Sequence, residues 1–357
     1  MPITFGIRLP PCEPPQTVAA AARAAETAGF DDVWTLDSPL LAGRLGDPYV
    51  TLAACARTTS RVRLGIAVTN PVTRHVVVTA AAILSLDDLA GGRAVLGIGS
   101  GDSAMRTLGL DPADADGTHQ DRRPRLREAV ETLRAIFAGK PAAFGERTLR
   151  LDGPARRVPI YVAATGPRML ELAGEVADGV IIQVGIHPAC LEDAIAHVRA
   201  GAVRAGRDPA AVDLVCSTFT SIDEDRRLAV DRARPLAAWF YAVAPRLLEM
   251  AGITVGQRHP ARPVFPDISH PADHALAMDE ARDYVADEAV EQFCLVGSPD
   301  ECVRRIRELE ALGIHQVFLR HYLTYALPWD LIDVAGRAII PLLRGHDAAT
   351  DRSASQG

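Results

Sequence analysis

The sequence predicts an α/β protein of the closed (β/α)8, or TIM-barrel, class, with a mostly helical insertion between its seventh and eighth strands. Three observations predict it. Eight short apolar runs recur along the 357 residues, nearly all followed by a helical pattern. The runs are continuous rather than alternating, as in parallel strands covered on both faces. The length suits one core closed by eight βα units. A doubly wound open sheet is the competing arrangement. No internal repeat is seen beyond the βα alternation.

The first strand is Ile3–Leu9, and the pairs Pro10-Pro11 and Pro14-Pro15 make the next stretch a loop. A helix from about Gln16 to Ala28 follows, with Gly29 at its C′ position. Asp31–Asp37 is the second strand and ends on a carboxylate. Asp47 then caps a helix that carries Pro48 in its first turn and ends near Thr58. The third strand, Val62–Val68, runs into Thr69-Asn70-Pro71, where proline has no donor for a ladder. A helix from about Arg74 to Leu89 is closed by Gly91-Gly92. The fourth strand, Ala94–Gly99, runs into Ser100-Gly101-Asp102.

Residues 102–118 form a long loop and a lid candidate, followed by a helix over about Arg122–Phe137 and a short hairpin arm at 146–151. Pro159–Ala164 is the fifth strand, with a helix over Pro167–Ala177. Val180–Val184 is the sixth, with a helix from about Pro188 to Ala205, and Asp213–Ile222 is the seventh. The alternation then breaks over residues 223–292, the insertion. A short extended piece, Phe293–Gly297, leads to a helix that ends at Leu312, with Ser298 and Glu301 spaced as a capping box. Gln316–Arg320 is the last strand, and a closing helix spans about 328–343. Residues 1–344 are expected to form a single domain, and 345–357, small and polar, a disordered tail.

The net charge of −7 and the lack of a long basic run exclude nucleic acid as an expected partner. The 6 cysteines show no C-x-x-C spacing and sit mostly in apolar stretches, the pattern of buried thiols in a reducing compartment. No stretch reaches membrane-spanning length, so a soluble cytoplasmic protein without a membrane partner is expected.

In a parallel βα fold, ligands bind at the carboxyl ends of strands, which directs attention to three strand ends. Gly97-Ile98-Gly99-Ser100-Gly101-Asp102 suits close approach by a flat or phosphorylated cofactor, or is simply a tight turn. A dinucleotide fingerprint is disfavoured, because the spacing is G-x-G-x-G and a long loop follows. Ala163-Ala164-Thr165-Gly166-Pro167-Arg168 offers free amides to a phosphate, with a charge from Arg168, or is a plain helix start. Asp37 is either a ligand-binding acid or a loop cap. His75, His187 and His321 are possible proton donors. No His/Cys/acid cluster has metal spacing, and no G-x-S-x-G elbow is present.

Together these stretches resemble the luciferase-like monooxygenase superfamily, (β/α)8 barrels that use flavin or the deazaflavin coenzyme F420, over about residues 3–343. The resemblance is closest to its F420-dependent branch, which includes methylenetetrahydromethanopterin reductase. It is carried by T-N-P-V-T-R-H, L-D-D-L-A-G-G-R-A-V-L-G-I-G-S-G-D and V-P-I-Y-V-A-A-T-G-P-R-M-L-E-L-A-G-E-V-A-D-G-V-I-I. It implies hydride transfer between F420 and a small organic substrate, in a homodimer. An FMN-dependent monooxygenase is the first alternative, and a non-catalytic cofactor-binding barrel the second.

The resemblance further implies a non-prolyl cis peptide at Ala67-Val68, bulged behind the cofactor ring, with Thr69 and Asn70 beside it. It implies cofactor contacts at Gly101, at Ala164, Thr165 and Gly166, at Arg168, and at Gln183, Val184 and Gly185. Asp37 and Asp102 become the catalytic acids. Several relatives follow the strand-two acid with a histidine; Ser38 stands here, so His75 is the candidate replacement. Arg8 follows F-G-I where the reductase has glutamate, and Asp102 replaces a glutamate of several deazaflavin enzymes. Ser100-Gly101 lacks the phosphate-holding arginine of the flavin-using luciferases, which favours F420 over FMN.

Overall fold

The computed structural model describes residues 2–38, 45–102, 105, 108, 121–144, 147–150, 155–254 and 279–345. In chain order these form β1 (Thr4–Arg8), α1 (Pro15–Ala28), β2 (Asp32–Thr35), α2 (Pro48–Thr58), β3 (Arg63–Thr69), α3 (Val76–Ala90) and β4 (Ala94–Ile98). Next come α4 (Arg123–Phe137), β5 (Ala142–Phe144), β6 (Arg147–Leu149), β7 (Ile160–Ala164), α5 (Pro167–Val176), β8 (Gly179–Ile182), α6 (Pro188–Arg204) and β9 (Asp213–Ile222). The chain ends with α7 (Arg226–Val243), α8 (Pro245–Met250), α9 (Asp287–Phe293), β10 (Leu295–Gly297), α10 (Pro299–Ala311), β11 (Gln316–His321) and α11 (Trp329–Val334).

Parallel pairing runs β9-β11-β1-β2-β3-β4-β7-β8, and β8 pairs back onto β9, so the sheet closes into a barrel. That last pairing, Gly179↔Asp213 through Ile182↔Cys216, rules out the open sheet. β10 only extends the end of β9. The helices cover the outside. Inside, Trp34, Val95, Tyr161, Ile181, Val215 and Phe318 form a separate buried cluster. Trp34 fits because its flanking strands carry glycine: a Cβ on Gly65 would lie 2.2 Å from its ring, and one on Gly6 2.7 Å from its Nε1.

Local signals act where the sequence places them. The Asp47 carboxylate accepts the Tyr49 and Val50 amides at the head of α2, and Ser298 and Glu301 form the reciprocal capping box of α10. Two details differ. The hairpin arm is β5–β6 and starts at Ala142 rather than 146. Gly345, expected to open the tail, is still helical, and residues 346–357 lie outside the described residues. Most of the 102–118 lid candidate, and residues 255–278 of the insertion, also lie outside them. No described helix is long and apolar enough to cross a membrane.

Candidate active site

A cavity of about 690 Å³ opens at the carboxyl ends of the barrel strands. Its base is the end of β3, where the Ala67-Val68 peptide is cis and the register on β4 shifts between Ile66 and Thr69. The glycines of β4 receive this bulge. A Cβ on Gly97 would sit 2.1 Å from the Ile66 carbonyl oxygen, and one on Gly99 2.9 Å from Val68 Cγ2. Both bare faces are therefore spent on strand packing rather than on a ligand. Gly101 is different. It has φ +85° and leaves no room for a Cβ, which would lie 2.8 Å from the Asn70 side chain. Asn70 in turn accepts the Val72 and Thr73 amides and holds the turn after β3.

Asp37 lies two residues past β2, buried, and lines the cavity. Thr69 Oγ1 donates to its Oδ2 at 2.7 Å, and Arg74 Nε donates to the same oxygen at 2.9 Å. Arg74 Nη2 also donates to Asp47 at 2.8 Å, and the guanidinium stacks 4.8 Å from the Tyr49 ring centre. Burial opposes the Arg74 charge, but Asp37 and Asp47 outweigh it and hold the group above its ordinary value. Asp102 stands at the rim, half exposed, and accepts from Arg122 at 2.7 Å.

Across the cavity, Ala164, Thr165 and Gly166 lead into α5. Gly166 is the N-cap, no side chain caps this helix, and nothing lies within 4 Å of where its Cβ would be. Pro167 has no N–H and the Met169 amide turns back to the Gly166 carbonyl, so the Gly166 and Arg168 amides are the ones left to meet an anion. Gln183 lines the wall beside them.

The predicted site residues therefore divide. Asp37, Ala67, Val68, Thr69, Asn70, Gly101, Asp102, Ala164, Thr165, Gly166 and Gln183 line one cavity. Four others do not. His75 is exposed and caps α3, its Nδ1 accepting the Val77 amide at 3.3 Å. Arg168 is exposed on α5. Val184 is buried in the outer core, and Gly185, at φ +79°, lies against Phe293. The other two histidines also serve the frame. His187 stands at the N-cap position of α6 without a side-chain cap bond, lies outside the cavity, and is held below its ordinary pKa by burial and by Arg305. His321 Nδ1 accepts the Leu323 amide at 3.2 Å, which leaves Nε2 to carry the proton toward Asp330.

The sequence reading missed part of the wall. Arg8, Ser217, Phe219 and Arg320 line it, with Trp239 and Phe240 of α7 above. Burial holds the Arg8 guanidinium down to about 10. Burial and the neighbouring Arg8 hold Arg320 down to about 9, so both are charged at neutral pH. Arg8 is visible in the sequence as the departure from the reductase's glutamate after F-G-I, whereas Arg320 is only an arginine at the end of an apolar run.

The sequence profile described as luciferase-like monooxygenase matches residues 3–316. The chain is 36% identical, over 322 residues, to a 5,10-methylenetetrahydromethanopterin reductase of Methanolobus tindarius, covering 88% of this chain and 93% of that protein. It is 30% identical, over 361 residues, to an F420-dependent glucose-6-phosphate dehydrogenase of Nakamurella multipartita, covering 96% and 97% of the two. The solved coenzyme F420 dependent tetrahydromethanopterin reductase from Methanopyrus kandleri superposes with a TM-score of 0.76 at 27% identity, covering 96% of this chain and 100% of that one. With its barrel closed, its β3 bulge seated on the β4 glycines, and these matches running along nearly its whole length, the chain belongs to the luciferase-like monooxygenase family.

Proposed function

We infer that this chain is an F420-dependent oxidoreductase that moves a hydride between the coenzyme and a small organic substrate. The observation that carries this is the pairing of a flat, small-residue base at Ala67-Val68 with an uncapped helix start at Gly166, in one cavity. It is supported by relatives whose names state F420 dependence. The donor set fits such a cofactor: the β3 bulge would support its ring, and the Gly166 and Arg168 amides would hold a phosphate. When bound, F420 supplies the hydride chemistry.

The chain's own residues orient and enclose. Thr69 and Arg74 hold Asp37 in one position beside the base, where its carboxylate would accept a hydrogen bond from a bound ring. Gly101 would let the loop after β4 pass close to such a ring, and Asp102 would handle a proton at the rim. Trp239 and Phe240 exclude water from above. We read residues 1–344 as a single domain, and the protein as a cytoplasmic homodimer. A fluorescence titration of the intact protein tests the cofactor. Tight binding of F420 with no binding of FMN is expected; tight FMN binding with oxygen consumption would move the chain to the oxygen-using reading.

A further inference from the structure

The cavity wall carries two positive charges, a buried Arg8 and a half-buried Arg320, that meet no carboxylate among the described residues. Arg8 ends β1, and Arg320 lies on β11, each one residue beyond the Ile7–Leu319 pair. They are therefore cross-strand neighbours. Arg8 Nη2 donates to Thr324 Oγ1 at 3.0 Å. The Arg320 guanidinium lies 3.8 Å from the centre of the Phe219 ring, and its buried Nε has no partner among the described residues. The Ser217 hydroxyl, on the adjacent strand β9, is also buried and unpartnered there. No carboxylate pairs with either arginine among the described residues. Other part-buried arginines are answered: Arg63, Arg74 and Arg234 each meet an aspartate, and Arg93 and Arg207 meet backbone carbonyls.

Two like charges side by side in a low-dielectric wall repel, and each loses hydration. An anion between them reverses both costs. The guanidinium fork matches a carboxylate in particular. The cofactor's own phosphate has its place after β7, across the barrel from β1 and β11 in the strand order. Beside the two arginines the wall is apolar, with Phe219, Leu236 and Phe240.

We propose that Arg8 and Arg320 form a carboxylate-binding subsite, so that the hydride-transfer substrate is a small organic acid with an apolar body. The subsite's link to turnover rests on the F420 reading; the subsite itself does not. Trp239 lines the same cavity and reports on its contents. The full-length protein is titrated with benzoate, 3-phenylpropanoate and glutarate, each beside its neutral amide, following tryptophan fluorescence. At least one acid should bind about tenfold or more tighter than its amide, the worth of a charge-assisted hydrogen bond.

Arg8→Met and Arg320→Met should each lose about tenfold of that affinity, and Arg8→Lys should lose less. F420 affinity should change by less than about threefold in all three. Equal binding of acid and amide across the panel overturns the proposal without recourse to any variant. So does acid binding that survives both substitutions, or F420 affinity that falls in step with it. Arginine-dependent acid binding in a protein that takes up no F420 would keep the subsite and sink the cofactor reading instead.

Discussion

Both ends of this barrel bury arginine, and they treat it in opposite ways. At the amino-terminal end, Arg63 opens β3 and meets Asp32 at the start of β2, with Nε 2.6 Å from Oδ1 and Nη2 2.9 Å from Oδ2. Gln316 donates to the same carboxylate, and Tyr161 accepts from Arg63 while donating to Asp213. Burial pushes Asp32 up to about 6, and Arg63 and Gln316 keep it from rising further. At the carboxyl-terminal end, Arg8 and Arg320 line the cavity, and neither forms an ion pair with a carboxylate among the described residues. A charge answered within the fold belongs to the frame. A charge left open onto a cavity is answered by a ligand.

The sharpest way to break this contrast is to remove one charge at each end. Asp32→Ala leaves the half-buried Arg63 guanidinium without its partner and should cost about 3 kcal/mol, at the low end for a broken buried pair. The low end applies because the Arg63 side chain stays 36% exposed. Arg8→Met and Arg320→Met remove an unanswered charge, so in the same urea denaturation they should leave stability unchanged or slightly raised. Equal losses at both ends would end the distinction.

Asp102 sharpens the comparison, since it is a paired acid at the functional end. Its partner Arg122 is 2.7 Å away, but the Asp102 side chain is 49% exposed, so the pair contributes about 1 kcal/mol or less to stability. Asp102→Asn should therefore spare the denaturation midpoint. It should cut turnover with F420 by about tenfold or more while leaving F420 affinity within about threefold. Equal loss of turnover and affinity would remove its proton-handling role.

The smallest effect comes from a carboxylate answered by amides alone. Glu26 accepts the Ser60, Arg61 and Val62 amides. Burial opposes its charge, yet those amides outweigh it and hold the group below its ordinary range. A carboxyl group depressed in the fold contributes stability above its unfolded pKa and loses it as pH falls through the folded one. Glu26→Gln should thus cost about 1 kcal/mol at pH 7, with the difference from the parent shrinking as the pH falls below about 4. A difference that persists in acid would mean that packing, not charge, is responsible.

Much of the fold was legible because its signals are local. Apolar runs, the Asp47 cap, the Ser298–Glu301 box and the glycine stops act within a few residues. The strand-end logic also placed Asp37, Gly101 and Thr165 on one cavity, and the family resemblance added Gln183. It failed one step further along the chain. Gln183 lines the cavity, so its neighbour Val184 turns to the outer core, as strand alternation requires. His75 sits at a helix start whose own free amide claims its ring.

The sequence by itself thus determined the barrel, its helix boundaries and the small-residue strand ends, because each rests on neighbours in the chain. Only the tertiary structure decided what those residues face. Gly97 and Gly99 read as room for a ligand, and the β3 bulge takes that room. Arg8 and Arg320 stand near opposite ends of the chain, each an ordinary charge after an apolar run. They become one site only when β11 pairs with β1 and the barrel closes, bringing the two charges side by side with no carboxylate among the described residues to answer them.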